Sequence, residues 1–164
     1  MASGRKDLSH VDRRGRVRMV DIGDKTVTVR EARAEARVSL GKAIAQKLKK
    51  IGSIAKGNVL ETARIAGIMA AKRTAEFIPL CHPLSLEVVR IDFDWTGDKL
   101  WIESRVKCRG KTGVEMEAMT AAAVAALTVY DMCKSAGKGI VIGPLRLLEK
   151  SGGRSGHWKA EARR

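Results

Sequence analysis

The sequence predicts an α+β domain in which helices cover one face of an antiparallel sheet. Three observations carry this. Residues 26–40 alternate strictly: Thr28, Arg30, Ala32, Ala34, Ala36, Val38 and Leu40 fall on one side, Val27, Val29, Glu31, Arg33, Glu35 and Arg37 on the other. That is the period of a strand with one covered face, although the alanines keep a helix open for residues 31–37. Two more alternating runs, residues 86–95 and 100–108, flank the hairpin loop Thr96-Gly97-Asp98-Lys99. Helical stretches separate these runs, giving the order β, α, α, β, β, α, β. The split β-α-β arrangement of ferredoxin-like folds accommodates it.

In chain order, residues 1–16 are polar and read as a flexible basic arm, and Val17 to Asp21 as a short extended piece. Gly23-Asp24-Lys25 is a turn, and the first strand follows. Gly41 to Lys50 reads as a helix with Ile44 and Leu48 on one face, and Gly52 and Gly57 bracket a loop holding Lys56. Val59 to Phe77 reads as a second helix with Ile65, Ile68, Met69 and Ala70 as its apolar residues. Pro79 ends it, because the residue before a proline is pushed out of the helical region. In Ile78-Pro79-Leu80-Cys81-His82-Pro83-Leu84 two prolines stiffen a segment that presents Cys81 and His82. The hairpin strands come next.

Gly110 to Lys134 begins as a Gly-rich loop and becomes an Ala-rich helix. Thr112 and Glu115 have the spacing of a capping box. Val124, Leu127 and Asp131 share a stripe expected to be buried, with Lys134 three residues after Asp131. The pair Asp131 and Lys134 reads either as an intrahelical ion pair or as a pocket acid–base pair. Ile140 to Leu148 is a last strand, interrupted by Gly143-Pro144 at an edge or bulge. Residues 151–164 read as a flexible Gly-rich basic tail, leaving residues 17–150 as one domain.

With 164 residues and 45% hydrophobic content the chain can bury one core, and with 4% aromatics that core is aliphatic. A net charge of +14 predicts affinity for anions: nucleic acid, acidic surfaces or phosphorylated small molecules. Cys81, Cys108 and Cys133 lack regular spacing and read as thiols of a cytoplasmic protein. No apolar run is long enough to span a membrane, and the N-terminal stretch has no apolar core of a signal peptide.

Several local chemistries are disfavoured. Adjacent Cys81 and His82 point apart in a stiff segment, against a Cys-His nucleophile. Scattered Cys and His lack zinc spacing. Gly110-Lys111-Thr112 lacks the upstream glycine of a phosphate-binding P-loop. What remains is a set of lysines with carboxylates and an imidazole, the equipment for proton transfers on a phosphorylated substrate. A nucleic-acid-binding module is the competing reading. It lacks a paired aromatic platform, since Phe93 and Trp95 share a strand face that should be buried.

Three motifs, Ile78 to Leu84, Gly110 to Ala118 and Leu127-Thr128-Val129-Tyr130-Asp131-Met132-Cys133-Lys134, closely resemble the MoaC family. Met19-Val20-Asp21, Thr28 to Ala32, Ala63 to Ile68, Ile142-Gly143-Pro144 and Leu147 to Gly156 also fit, in order. The resemblance implies a ferredoxin-like subunit in a homohexamer, a trimer of dimers with active sites at the dimer interface. It implies conversion of 3′,8-cyclo-7,8-dihydroguanosine 5′-triphosphate to cyclic pyranopterin monophosphate and pyrophosphate, in molybdenum cofactor biosynthesis. No cofactor is implied, and Mg²⁺ accompanying the triphosphate stays open. No membrane or nucleic-acid partner is implied either.

Carried over by position, Asp131 resembles the general acid/base with Lys134 beside it and Lys56 as a further catalytic group. His82, Leu80, Cys81, Met116 and Glu117 resemble substrate contacts, with Glu115 close by, and Arg30 and Lys150 resemble triphosphate ligands. The chain departs from the pattern before Lys56, where histidines are common, at Asn58 and at Arg154.

Overall fold

The computed structural model describes residues 10–12, 14–51, 53–54 and 57–161. Its elements are β1 (Thr28–Ser39), α1 (Lys42–Ile51), β2 (Ser53–Ile54), β3 (Gly57–Asn58), α2 (Val59–Lys72), α3 (Thr74–Phe77), β4 (Leu86–Thr96), β5 (Lys99–Gly110), α4 (Glu115–Cys133), β6 (Val141–Ser151) and β7 (Trp158–Lys159). The main sheet has the order β4-β5-β1-β6-β7 and is antiparallel throughout. Helices pack on one face, so the α+β, ferredoxin-like expectation holds. The strand β7 pairs with Glu149 and Lys150 where the sequence suggested only a loop.

The alternation of β1 sorts its side chains as expected. Ala32, Ala34, Ala36 and Val38 are buried, opposite Val106, Ser104, Ile102 and Leu100 of β5. Small residues on β1 face larger ones on β5, which lets α4 lie close with its own stripe of Ala118, Ala121, Ala122, Ala125 and Ala126. Ser104, buried among them, donates to the Ala118 carbonyl at 2.6 Å.

The other sheet face is a charge ladder. Arg33 grips both Glu103 oxygens at 2.9 Å and Glu149 at 3.0 Å, and Arg146 reaches the buried Glu35 at 2.8 Å. Gly143-Pro144 sits where β6 shifts register against Ala36 and Val38, the bulge the sequence suggested.

Two helix readings need correction. First, the stretch read as one helix from Val59 to Phe77 is two, α2 and α3; α2 buries Val59, Ala63, Gly67, Ala70 and Ala71 and leaves Ile65 and Met69 exposed. The small residues face inward because α2 lies against α4. A Cβ on Gly67 would overlap Ile91 and stand 2.7 Å from the Ala121 carbonyl oxygen. Gly67→Ala is therefore expected to push the two helices apart and cost about 1–3 kcal/mol, read as a Tm lowered by several degrees. The helix also breaks at Arg73, ahead of the extended pre-proline residue Ile78.

Second, the stripe through Leu127 and Asp131 is not buried. Leu127 is 58% exposed, and α4 instead buries Val129, Met132 and Cys133 near its end. The sheet lies beneath the alanine face, which is rotated away from Leu127. Phe93 and Trp95 pack against the core as expected, with Arg64 over the first ring and Lys49 over the second.

Candidate active site

The start of α4 gathers most of the candidate residues. The helix is capped at Val114 with no side-chain hydrogen bond, so the expected capping box of Thr112 and Glu115 does not form. Glu115 turns outward instead and pairs with Lys150 at 3.3 Å. Glu117, two residues on and so on a different side of the helix, turns inward and is 4% exposed.

Two clefts meet there. The smaller, about 390 Å³, contains Leu80, Cys81, His82, Glu115, Met116 and Glu117 in its wall. The larger, about 800 Å³, contains Arg30, Lys111, Lys150, Arg154 and Glu115. Lys25, Thr112, Gly113 and Glu115 belong to both. The structure thus brings together all eight residues expected to bind substrate.

Backbone chemistry shapes the larger cleft. The Arg30 guanidinium donates to the carbonyls of Gly110 at 3.3 Å and Lys111 at 3.4 Å, tying β1 to the loop before α4. Gly153, at φ +69°, wraps across it: a Cβ there would stand 2.7 Å from Arg30 Nη2 and closer still to Nη1. Lys150 Nζ donates to Ser155 Oγ at 2.6 Å, closing the loop from below. Thr28 Oγ1 is buried without a hydrogen-bond partner, the one such side-chain atom among the described residues, and Thr28 lines this cleft. A ligand oxygen is a natural partner for that hydroxyl.

Electrostatics separates the two clefts. The larger has five cations, Lys25, Arg30, Lys111, Lys150 and Arg154, against one carboxylate. In the smaller, burial first and then the charge of Glu115 push Glu117 up to about 7, against the pull of its own backbone N–H. Burial, and then Glu117, also pushes the Cys81 thiol up, which makes it a poor nucleophile.

Folded Glu117 keeps its proton to about pH 7, against an ordinary value of 4.5, so folding takes up a proton between these values. Stability from this group falls as pH rises through that window, by on the order of 3 kcal/mol. Glu117→Gln is expected to flatten the decline, measured as urea midpoints between about pH 5 and about pH 8.

Asp131 and Lys134 are not in either cleft. They form an ion pair of 2.6 Å at the far end of α4, with more than half of each side chain exposed. The hydrogen bond and charge of Asp131 raise the Lys134 pKa. Asp131 follows Glu117 by fourteen positions, which at 1.5 Å per residue is roughly 21 Å along the axis. Lys56 lies outside the described residues.

Sequence reasoning assigned no role to Lys25, Thr28 or Arg154. Lys25 sits in a turn, where a lysine is ordinarily just solvated, and only its approach to the α4 loop distinguishes it. Lys111 Nζ secures that approach by donating to the Gly23 carbonyl at 2.5 Å. Among the described residues no three His, Cys, Asp or Glu side chains are grouped to hold a metal, and no helix is long and apolar enough to cross a membrane.

The chain is similar to known proteins over nearly its whole length. A family model described as the MoaC family matches residues 19–153. The chain is 53% identical over 163 residues to the cyclic pyranopterin monophosphate synthase of Chloroflexus aggregans, covering 98% of both chains. It is 53% identical over 156 residues to the protein of that name from Geobacillus kaustophilus, covering 93% of this chain and 96% of that one. The Bacillus licheniformis protein of the same name is 51% identical over 159 residues, covering 94% of each.

Proposed function

The chain belongs to the MoaC family, and from that premise we propose that it is a cyclic pyranopterin monophosphate synthase acting on 3′,8-cyclo-7,8-dihydroguanosine 5′-triphosphate. The carrying observation is the pair of joined clefts, one strongly cationic and one holding a buried carboxyl beside His82. Such a site suits a molecule with a polyphosphate at one end and a polar ring system at the other. Arg30, Lys111, Lys150 and Arg154 take the triphosphate, and Glu117, His82 and the Leu80-Cys81 backbone take the base.

The closing step forms a bond from a substrate hydroxyl oxygen to the α-phosphorus and breaks the α–β bridge. Pyrophosphate leaves with the electron pair, and the hydroxyl proton passes to a base. The cationic cleft neutralises the leaving charge. The earlier ring rearrangement breaks and re-forms carbon–nitrogen bonds, each change accompanied by proton transfers and none by net oxidation, so the reading calls for no redox cofactor. Asp131, Lys134 and Lys56 are the proposed proton carriers.

Because Asp131 lies roughly 21 Å along α4 from Glu117, a site using both draws them from two chains. This separation supports active sites at a dimer interface, and the family resemblance extends the reading to a homohexamer of three dimers. The exposed apolar side chains Ile65, Met69, Phe77 and Leu127 support such an assembly. Three cysteine thiols support a cytoplasmic setting.

The test is ³¹P NMR of the purified chain mixed with the cyclised substrate. Pyrophosphate and a cyclic phosphodiester should appear together. A folded chain that releases neither would refute the assignment.

A further inference from the structure

The smaller cleft has a wall that α4 and the proline segment do not supply. The described part of the N-terminal segment forms a small hairpin. Val11 and Val17 bridge antiparallel, and the N–H groups of Asp12 and Arg18 donate to the carbonyls of Arg16 and His10, each at 2.9 Å. Asp12 closes the turn. Its Oδ1 accepts from the backbone N–H of Arg14 at 2.8 Å and of Arg16 at 2.9 Å, while Oδ2 accepts from Arg16 Nε at 2.9 Å.

The hairpin places His10 in the cleft wall with Cys81, His82 and Glu117. The chain then continues along the same cleft, where Val20 and Lys25 also line it. The Lys111 bond to Gly23 fastens this stretch to the α4 loop. A segment held in this way presents its imidazole in one place, which a solvated arm does not.

We propose that His10 is a substrate-binding residue whose imidazole hydrogen-bonds the base-derived ring of the substrate, and that the Asp12 turn is what positions it. An imidazole suits this because its two nitrogens offer a donor and an acceptor to a ring edge carrying both. Its ligand is a fused nitrogen heterocycle with adjacent N–H and C=O groups, the class to which the proposed substrate belongs. The inference rests on the functional reading above.

The experiment measures kcat and KM for pyrophosphate release by the full chain and four variants. Loss of one hydrogen bond predicts a KM about tenfold higher for His10→Ala, with kcat within about twofold. His10→Asn, which keeps a donor and an acceptor, should recover part of the loss. Asp12→Ala should raise KM in the same direction, and the double variant should be no worse than His10→Ala alone, since both remove one interaction. An unchanged KM in His10→Ala overturns the proposal, and so does full additivity of the two substitutions. Absence of release by the wild-type chain would instead overturn the functional reading, so the two failures are distinguishable.

Discussion

Two inactive variants are expected to restore each other. Asp131→Asn should lower kcat by about 10²- to 10⁴-fold, the usual range for loss of an acid–base group. Its fold should survive, because Asp131 is an exposed member of an ion pair and such pairs contribute little to stability. Lys150→Glu should abolish triphosphate binding by reversing charge in the larger cleft, beside Glu115. Lys150 stands by the start of α4 and Asp131 near its far end.

If each site joins the clefts of one protomer to the helix end of its partner, a mixed dimer holds one intact site. Random reassociation of an equal mixture should then return about a quarter of wild-type turnover. A mixture no more active than its components would place Asp131 outside the site, or the whole site within one chain.

Gly153→Ala should raise KM for the triphosphate by roughly 10- to 100-fold, the loss of one charge-assisted interaction or slightly more. A Cβ at this position displaces the Arg30 guanidinium from beneath the loop, and φ +69° is strained for alanine besides. Melting should change little, because β6 ends at Ser151 and the core lies elsewhere. Arg30→Lys, which keeps charge but loses the planar fork, should show a milder form of the same defect. Wild-type KM in Gly153→Ala would mean that Arg30 does not bind the substrate from this position.

Much of the candidate site was legible because its residues lie in short contiguous motifs. Leu80, Cys81 and His82 sit between prolines, and Glu115, Met116 and Glu117 open a helix directly after a glycine loop. The covalent chain holds each group together, and the family resemblance carried by these motifs, not their spacing, assigned the groups to one site. Lys25, Thr28 and Arg154 were not legible, since each joins the site through contacts with residues far away in sequence. Thr112 and Glu115 show the opposite error. Their spacing suggests a local cap, but Lys150, brought across from β6, pairs with the carboxylate instead.

Periodicity along the chain determined the long strands β1, β4 and β5, their alternating sides and the order of the main elements, because a strand's two sides are set by alternation and need no knowledge of neighbours. It did not determine which side of a helix is buried. Both α2 and α4 carry large apolar residues on one side and small ones on another, and the stripe through Val124 and Leu127 suggested that Leu127 faces inward. Only the packed structure decided for the alanines and Gly67, because two helices and a sheet approach closely where side chains are small. That same choice leaves Leu127 and Asp131 outward, roughly 21 Å along the helix axis from Glu117.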